Sequence, residues 1–187
     1  MTTVLLLALG AAIVAAVVAI RVYLLSFRAQ RIDDYVGLAP EFDLRRQLNG
    51  PLICEGVIFG PGGRVSSRFT ARMVGDWSGN SGVLRQDFLY DNGETQERAW
   101  HLELGPDGSI DARADDVPGT AKGGQGGPAV HLKYPIRLPK EAGGHVLGAT
   151  DWMYLVEDGS IINRSQFRKF GFKVAELIAT IRREETT

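Results

Sequence analysis

Nucleophilic, metal-assisted and acid–base chemistry each need particular side chains brought together, and the 187 residues supply few of them. The one cysteine, Cys54, has no partner for an internal disulfide. It is followed by Glu55 and has no basic neighbour to lower its pKa, which favours a buried, inert thiol. His101, His131 and His145 are the only histidines, and no CxxC or HExxH spacing accompanies them, so no metal is expected. Asp115 and Asp116 are adjacent, so on a strand they would point to opposite faces; ahead of Pro118-Gly119 they fit a turn better than an acid pair. No serine lies in a G-x-S-x-G context. The run Gly123-Gly124-Gln125-Gly126-Gly127 lacks the lysine and the strand-to-helix setting of a phosphate loop and reads as a flexible hairpin. No catalytic residue and no cofactor are expected.

Binding chemistry is better represented. Arg98 shares its alternation with Trp100, Leu102 and Leu104, so its guanidinium points toward an apolar face, where it can receive the carboxylate or phosphate of an amphipathic ligand. The competing reading pairs Arg98 with an acid such as Asp87 or Asp151. Phe88, Tyr134, Trp152 and Tyr154 are expected to line the same interior, with Asn163 a further polar candidate. Arg164, next to it, poses the same question.

The elements that must position these residues read as strands. From Leu52 onward, turn formers recur about every ten residues, from Gly60-Pro61-Gly62-Gly63 to Glu157-Asp158-Gly159, as in an antiparallel meander. Between them the period is two. Val65, Ser67, Phe69, Ala71, Met73, Gly75 and Trp77 alternate with Arg64, Ser66, Arg68, Thr70, Arg72, Val74 and Asp76. The parity recurs in Leu84, Phe88 and Tyr90, in Val130, Leu132, Tyr134, Ile136 and Leu138, and in Trp152, Tyr154 and Val156; His101 and His131 alternate with these and are expected to face solvent. Phe172 to Arg182 fits a closing strand better than a helix. A meander of about 8–10 strands has two unpaired edges unless it closes, so the fold expected is all-β, an up-and-down antiparallel barrel.

Val4 to Ile20 carries no charge or polar side chain, and the apolar run resumes after Arg21. About 20 such residues span a hydrocarbon core. No cationic segment precedes the run and no A-x-A-like site follows it, so a retained N-terminal transmembrane helix is expected rather than a cleaved signal. The organisation expected is a membrane anchor with a juxtamembrane basic segment over 1–31, a tether over 32–51 with a short turn of helix near Asp43 to Leu48, and the barrel over 52–187. Arg21, Arg28 and Arg31 precede residue 32 and no acid does, so the rest holds 18 basic and 22 acidic side chains, which argues against nucleic acid as a partner. The same arginines favour the cytoplasmic side for the barrel.

Several strings resemble an uncharacterised bacterial family of lipocalin-like, calycin-type domains: Phe42-Asp43-Leu44 with Asn49-Gly50-Pro51, Asp87-Phe88-Leu89-Tyr90-Asp91 with Gly93-Glu94, Arg98-Ala99-Trp100 and Asp115-Asp116-Val117 with Gly119, then Asp151-Trp152-Met153-Tyr154-Leu155 and Ile162-Asn163-Arg164 with Lys169-Phe170-Gly171-Phe172. The resemblance runs from about Asp33 to Arg182. It implies a calycin fold in the bacterial inner membrane and supplies no catalytic residues. Many relatives are lipoproteins, which implies the periplasmic side, against the charge rule. The function expected is a membrane-anchored barrel that binds or transfers a lipid or fatty acyl ligand at the bilayer surface. The alternative is an accessory subunit of a membrane protein complex whose barrel is filled by its own side chains; a reaction chamber ranks third.

Overall fold

A computed structural model describes residues 2–185; Met1, where the expected anchor begins, and Thr186 and Thr187, the end of the expected barrel, lie outside the described residues. The chain divides into two units at Asp34 and Tyr35. The first holds helix α1, Thr2–Leu24, whose 23 residues extend about 34 Å at 1.5 Å per residue. By length and composition α1 suits a membrane span, and its N-terminal position suits a signal sequence equally.

The second unit is the expected barrel. Ten antiparallel strands, β1 (Gly50–Phe59), β2 (Val65–Ser78), β3 (Ser81–Tyr90), β4 (Thr95–Leu104), β5 (Ser109–Arg113), β6 (Ala121–Gly126), β7 (Ala129–Arg137), β8 (Val146–Leu155), β9 (Ile161–Lys169) and β10 (Phe172–Arg183), pair in sequence order. β1 closes the ring against β10, from Leu52 opposite Arg183 to Phe59 opposite Glu176. Closure removes the sheet edges, and ten strands enclose a wider interior than the side-chain-filled barrels of eight. The alternation of β2 holds, with Phe69, Ala71 and Met73 buried between exposed neighbours.

Two segments differ from expectation. The stretch expected as a tether is part of the barrel unit from Tyr35 onward. Asp43 caps the short helix α2, Leu44–Gln47, by accepting from the Arg45 amide at 3.0 Å, and Phe42, Leu44 and Leu48 are buried as the floor of the barrel. Polar spacing hid this plug, because only three of its residues face inward. The glycine run expected as a flexible hairpin is instead strand β6, with its turn at Gly127 and Pro128. Gly127 has φ +50, and a Cβ there would lie 1.9 Å from the Tyr35 carbonyl oxygen, so glycine is required by close backbone approach.

Candidate functional site

Inside the barrel the wall residues form two connected spaces. Above the floor of Leu44 and Leu48 lies a chamber of about 130 Å³ walled by Phe69, Met73, Trp100, Met153 and Phe167. At the opposite end a mouth of about 960 Å³, lined by Ile58, Tyr90, Ile136, Leu138, Leu147 and Val174 among others, opens to solvent. Phe69, Phe88, Arg98, Phe167 and Leu177 line both, so they form the collar between them.

Arg98 occupies that collar because β4 alternation turns it inward with Trp100 and Leu102. Its guanidinium carbon sits 4.3 Å from the Trp100 ring centroid and 5.9 Å from that of Tyr134, a cation over aromatic faces. Nε donates to Asp116 Oδ1 at 3.1 Å, with the two side chains 15% and 22% exposed. The protein carboxylate paired with Arg98 is therefore Asp116, not Asp87 or Asp151: Asp87 lies opposite Arg72 on the outward parity, and the turn that carries Asp116 folds over the mouth.

Below the collar, the Tyr134 hydroxyl donates to Asp151 Oδ2 at 2.5 Å. Burial pushes the Asp151 carboxyl above its usual range, opposed by the Tyr134 and Ser165 hydroxyls and the Arg98 charge. Burial and the adjacent Asp151 charge raise the Tyr134 phenol well above its ordinary value. Asn163 donates from Nδ2 to the Trp152 carbonyl at 3.2 Å and accepts from the Ser165 hydroxyl at 3.3 Å. Three buried polar atoms lining this chamber make no hydrogen bond of good geometry within the protein: Arg98 Nη2, a donor, and Gln86 Oε1 and Asp151 Oδ1, acceptors. Each such atom costs about 1–3 kcal/mol if nothing polar reaches it, and polar groups of water or a ligand in the chamber relieve that cost. A surface depression of about 640 Å³ beside Trp77 and Asp111 holds no such atom. Among the described residues no cluster of three His, Cys, Asp or Glu side chains is placed to hold a metal ion.

Of the expected site residues, Phe88, Arg98, Trp100, Tyr134 and Asn163 converge on this cavity. Trp152 and Tyr154 do not. On β8 the inward residues are Leu147, Ala149, Asp151, Met153 and Leu155, which puts Trp152 and Tyr154 on the outer wall, stacked at 6.0 Å and covered by Tyr35 at 5.4 and 5.7 Å. The string Asp151-Trp152-Met153-Tyr154 misleads because its polar residue faces in, hydrogen-bonded, while its aromatic residues are buried from outside. Asp151 and Gln86 each had one sequence signal, since Leu147 and Ala149 carry the inward parity forward to the first and Leu84, Phe88 and Tyr90 bracket the second; nothing of the kind marked Asp116. His131, expected to face solvent, packs 4.5 Å from the Trp152 ring, and burial with the nearby Lys133 charge pulls its pKa down to about 4. Cys54 is buried, and burial with the Glu55 charge pushes its thiol up to about 12.

Among solved structures, the chain is similar to an S-type phycobiliprotein lyase, CPES of Guillardia theta, with 6% identity and a TM-score of 0.53 over 77% of this chain and 92% of that one. It is similar also to Rv2717c of M. tuberculosis, with 14% identity and a TM-score of 0.56 over 79% and 99% of the two chains. At such identities the likeness shows the fold alone, a lipocalin-like barrel. Comparison with curated proteins gave no match. A family model does match, over residues 21–183, a span that takes in the whole barrel, the floor helix and the collar, and by it the chain belongs to the family described as "Protein of unknown function (DUF3833)".

Proposed function

We propose that this protein is a membrane-anchored barrel that binds a lipid or fatty acyl ligand, polar end inward. The observation that carries the reading is the set of orphaned atoms beneath an apolar mouth: Arg98 Nη2 calls for an acceptor, and Gln86 Oε1 and Asp151 Oδ1 call for donors. The chamber is smaller than the usual 300–1,000 Å³ ligand pocket, and the mouth falls within that range. The polar end therefore fits below the collar and the acyl chain along Phe88, Ile136, Leu138 and Leu177, out of water. A headgroup with both a hydroxyl and a carbonyl satisfies the three atoms better than a bare carboxylate, which meets Asp151 as a like charge.

Anchoring rests on α1 and on the arginines that follow it, and the cytoplasmic side remains the orientation proposed. The accessory-subunit reading draws on the small inner chamber but leaves the apolar mouth without a role. Native mass spectrometry of the full chain in detergent tests the choice. A co-purifying adduct of lipid mass that is lost from Arg98→Met supports ligand binding, and an adduct-free spectrum at every detergent stringency contradicts it.

A further inference from the structure

The turn joining β9 to β10 differs in chemistry from the other turns of the barrel. Phe170 and Phe172 at its tip are 89% and 77% exposed, and Phe170 holds a left-handed backbone, φ +52, that a bulky residue rarely adopts. Apolar side chains are normally withdrawn from such tips, and turns at both ends of the barrel follow the rule, with Asp91-Asn92-Gly93-Glu94, Gly105-Pro106-Asp107-Gly108 and Glu157-Asp158-Gly159. Between Asp158 and Glu176 the chain carries Arg164, Arg168, Lys169 and Lys173 and no acid; Glu176 holds Arg164 and Lys173, and Arg168 and Lys169 are the cations next to the two phenylalanines. Lys169 Nζ lies 5.7 Å from the Phe170 ring centroid, and Arg168 donates to the Gly171 carbonyl at 3.0 Å, which holds cation and aromatic at the same tip.

The turn also stands at the opening of the cavity. Lys169 and Val174 line the mouth, with Arg137 at the end of β7 and Lys140 and His145 on the adjoining β7–β8 loop, while Glu94 and Asp116 line it from the β3–β4 and β5–β6 turns. From the paired exposed aromatics, the surrounding cations and their place on the rim, we infer that the β9–β10 turn docks on a lipid bilayer surface bearing anionic headgroups, phenylalanines entering the interface and cations meeting the phosphates. This contact is separate from α1 and independent of whether the chamber holds a ligand.

The test uses the full chain in nanodiscs with an environment-sensitive fluorophore on Phe172→Cys; buried Cys54 does not compete for the label. A control label goes on Glu157→Cys, at an exposed turn of the floor end. Discs of phosphatidylcholine and of phosphatidylglycerol are compared, with and without added vesicles of the same lipid. With phosphatidylglycerol the label at 172 is expected to shift to the blue and to be quenched by doxyl-labelled lipid, the label at 157 to do neither, and added salt, Lys169→Glu or Phe170→Ser each to weaken the response. Water-like emission at 172 under every lipid condition overturns the inference. A response equal in both lipids overturns the role of the cations. Lipid adducts in mass spectrometry are unaffected by either outcome, so the ligand reading stands or falls separately.

Discussion

Inside the barrel, parity along single strands located Arg98, Trp100, Phe88 and Tyr134, because on β3, β4 and β7 most inward residues are apolar and set the face that Arg98 shares. It failed at Asp151, where the inward residue is the polar one and takes its stability from Tyr134 rather than from water. Tyr134→Phe removes the donor to Asp151 Oδ2 and is expected to cost about 1–3 kcal/mol, read as a lower Tm with secondary structure retained. On the outer wall, burial favours neutral His131, with a folded pKa of about 4 against an ordinary 6.5. The unfolded chain therefore binds more protons between those values, so this contribution is complete above pH 6.5 and is lost as pH falls toward 4. A phenylalanine at 131 keeps a ring against Trp152 and cannot charge, so His131→Phe is expected to flatten the fall in Tm between pH 7 and pH 5. An unchanged slope would show that His131 does not titrate as described.

Among the elements, the strands and the short turn of helix near Asp43 to Leu48 were legible because they rest on local patterns, period two above all. What packs against them was not, since the contacts of the floor and of Tyr35 on the outer wall join residues far apart in sequence. Leu48 is the clearest case: its carbonyl accepts from Trp77 Nε1 at 2.9 Å, and a Cβ on Gly75 would lie 1.8 Å from the same oxygen. Gly75→Ala must displace α2 from the floor and is expected to destabilise by about 1–3 kcal/mol, as overpacking does. Hydrogen exchange should rise first in residues 42–48; uniform exchange would argue that α2 does not close the barrel. Trp152→Phe opens space under Tyr35 and should lower Tm while leaving ligand affinity unchanged, because Trp152 faces outward. A matching loss of affinity would return it to the cavity.

For the whole molecule, composition and turn spacing implied the closed barrel, while its two spaces depended on side chains from eight strands and no single segment announced them. Orientation in the membrane is tested with an impermeant thiol reagent on an exposed site such as Ser81→Cys, since Cys54 is buried. Labelling only after the inner membrane is opened is expected, and labelling in cells with an intact inner membrane would place the barrel in the periplasm. The central claim is that Arg98 holds a ligand rather than only closing the barrel. All three tryptophans, Trp77, Trp100 and Trp152, belong to the barrel, so energy transfer to a dansyl-labelled monoacylglycerol reports occupancy without interference from α1. Arg98→Met keeps the apolar stem, removes the donor and leaves Asp116 partly solvated; a loss of affinity of about 1.5–3 kcal/mol is expected, with Tm little changed. Unchanged energy transfer together with a large fall in Tm would contradict it, and would make Arg98 a structural partner of Asp116 alone.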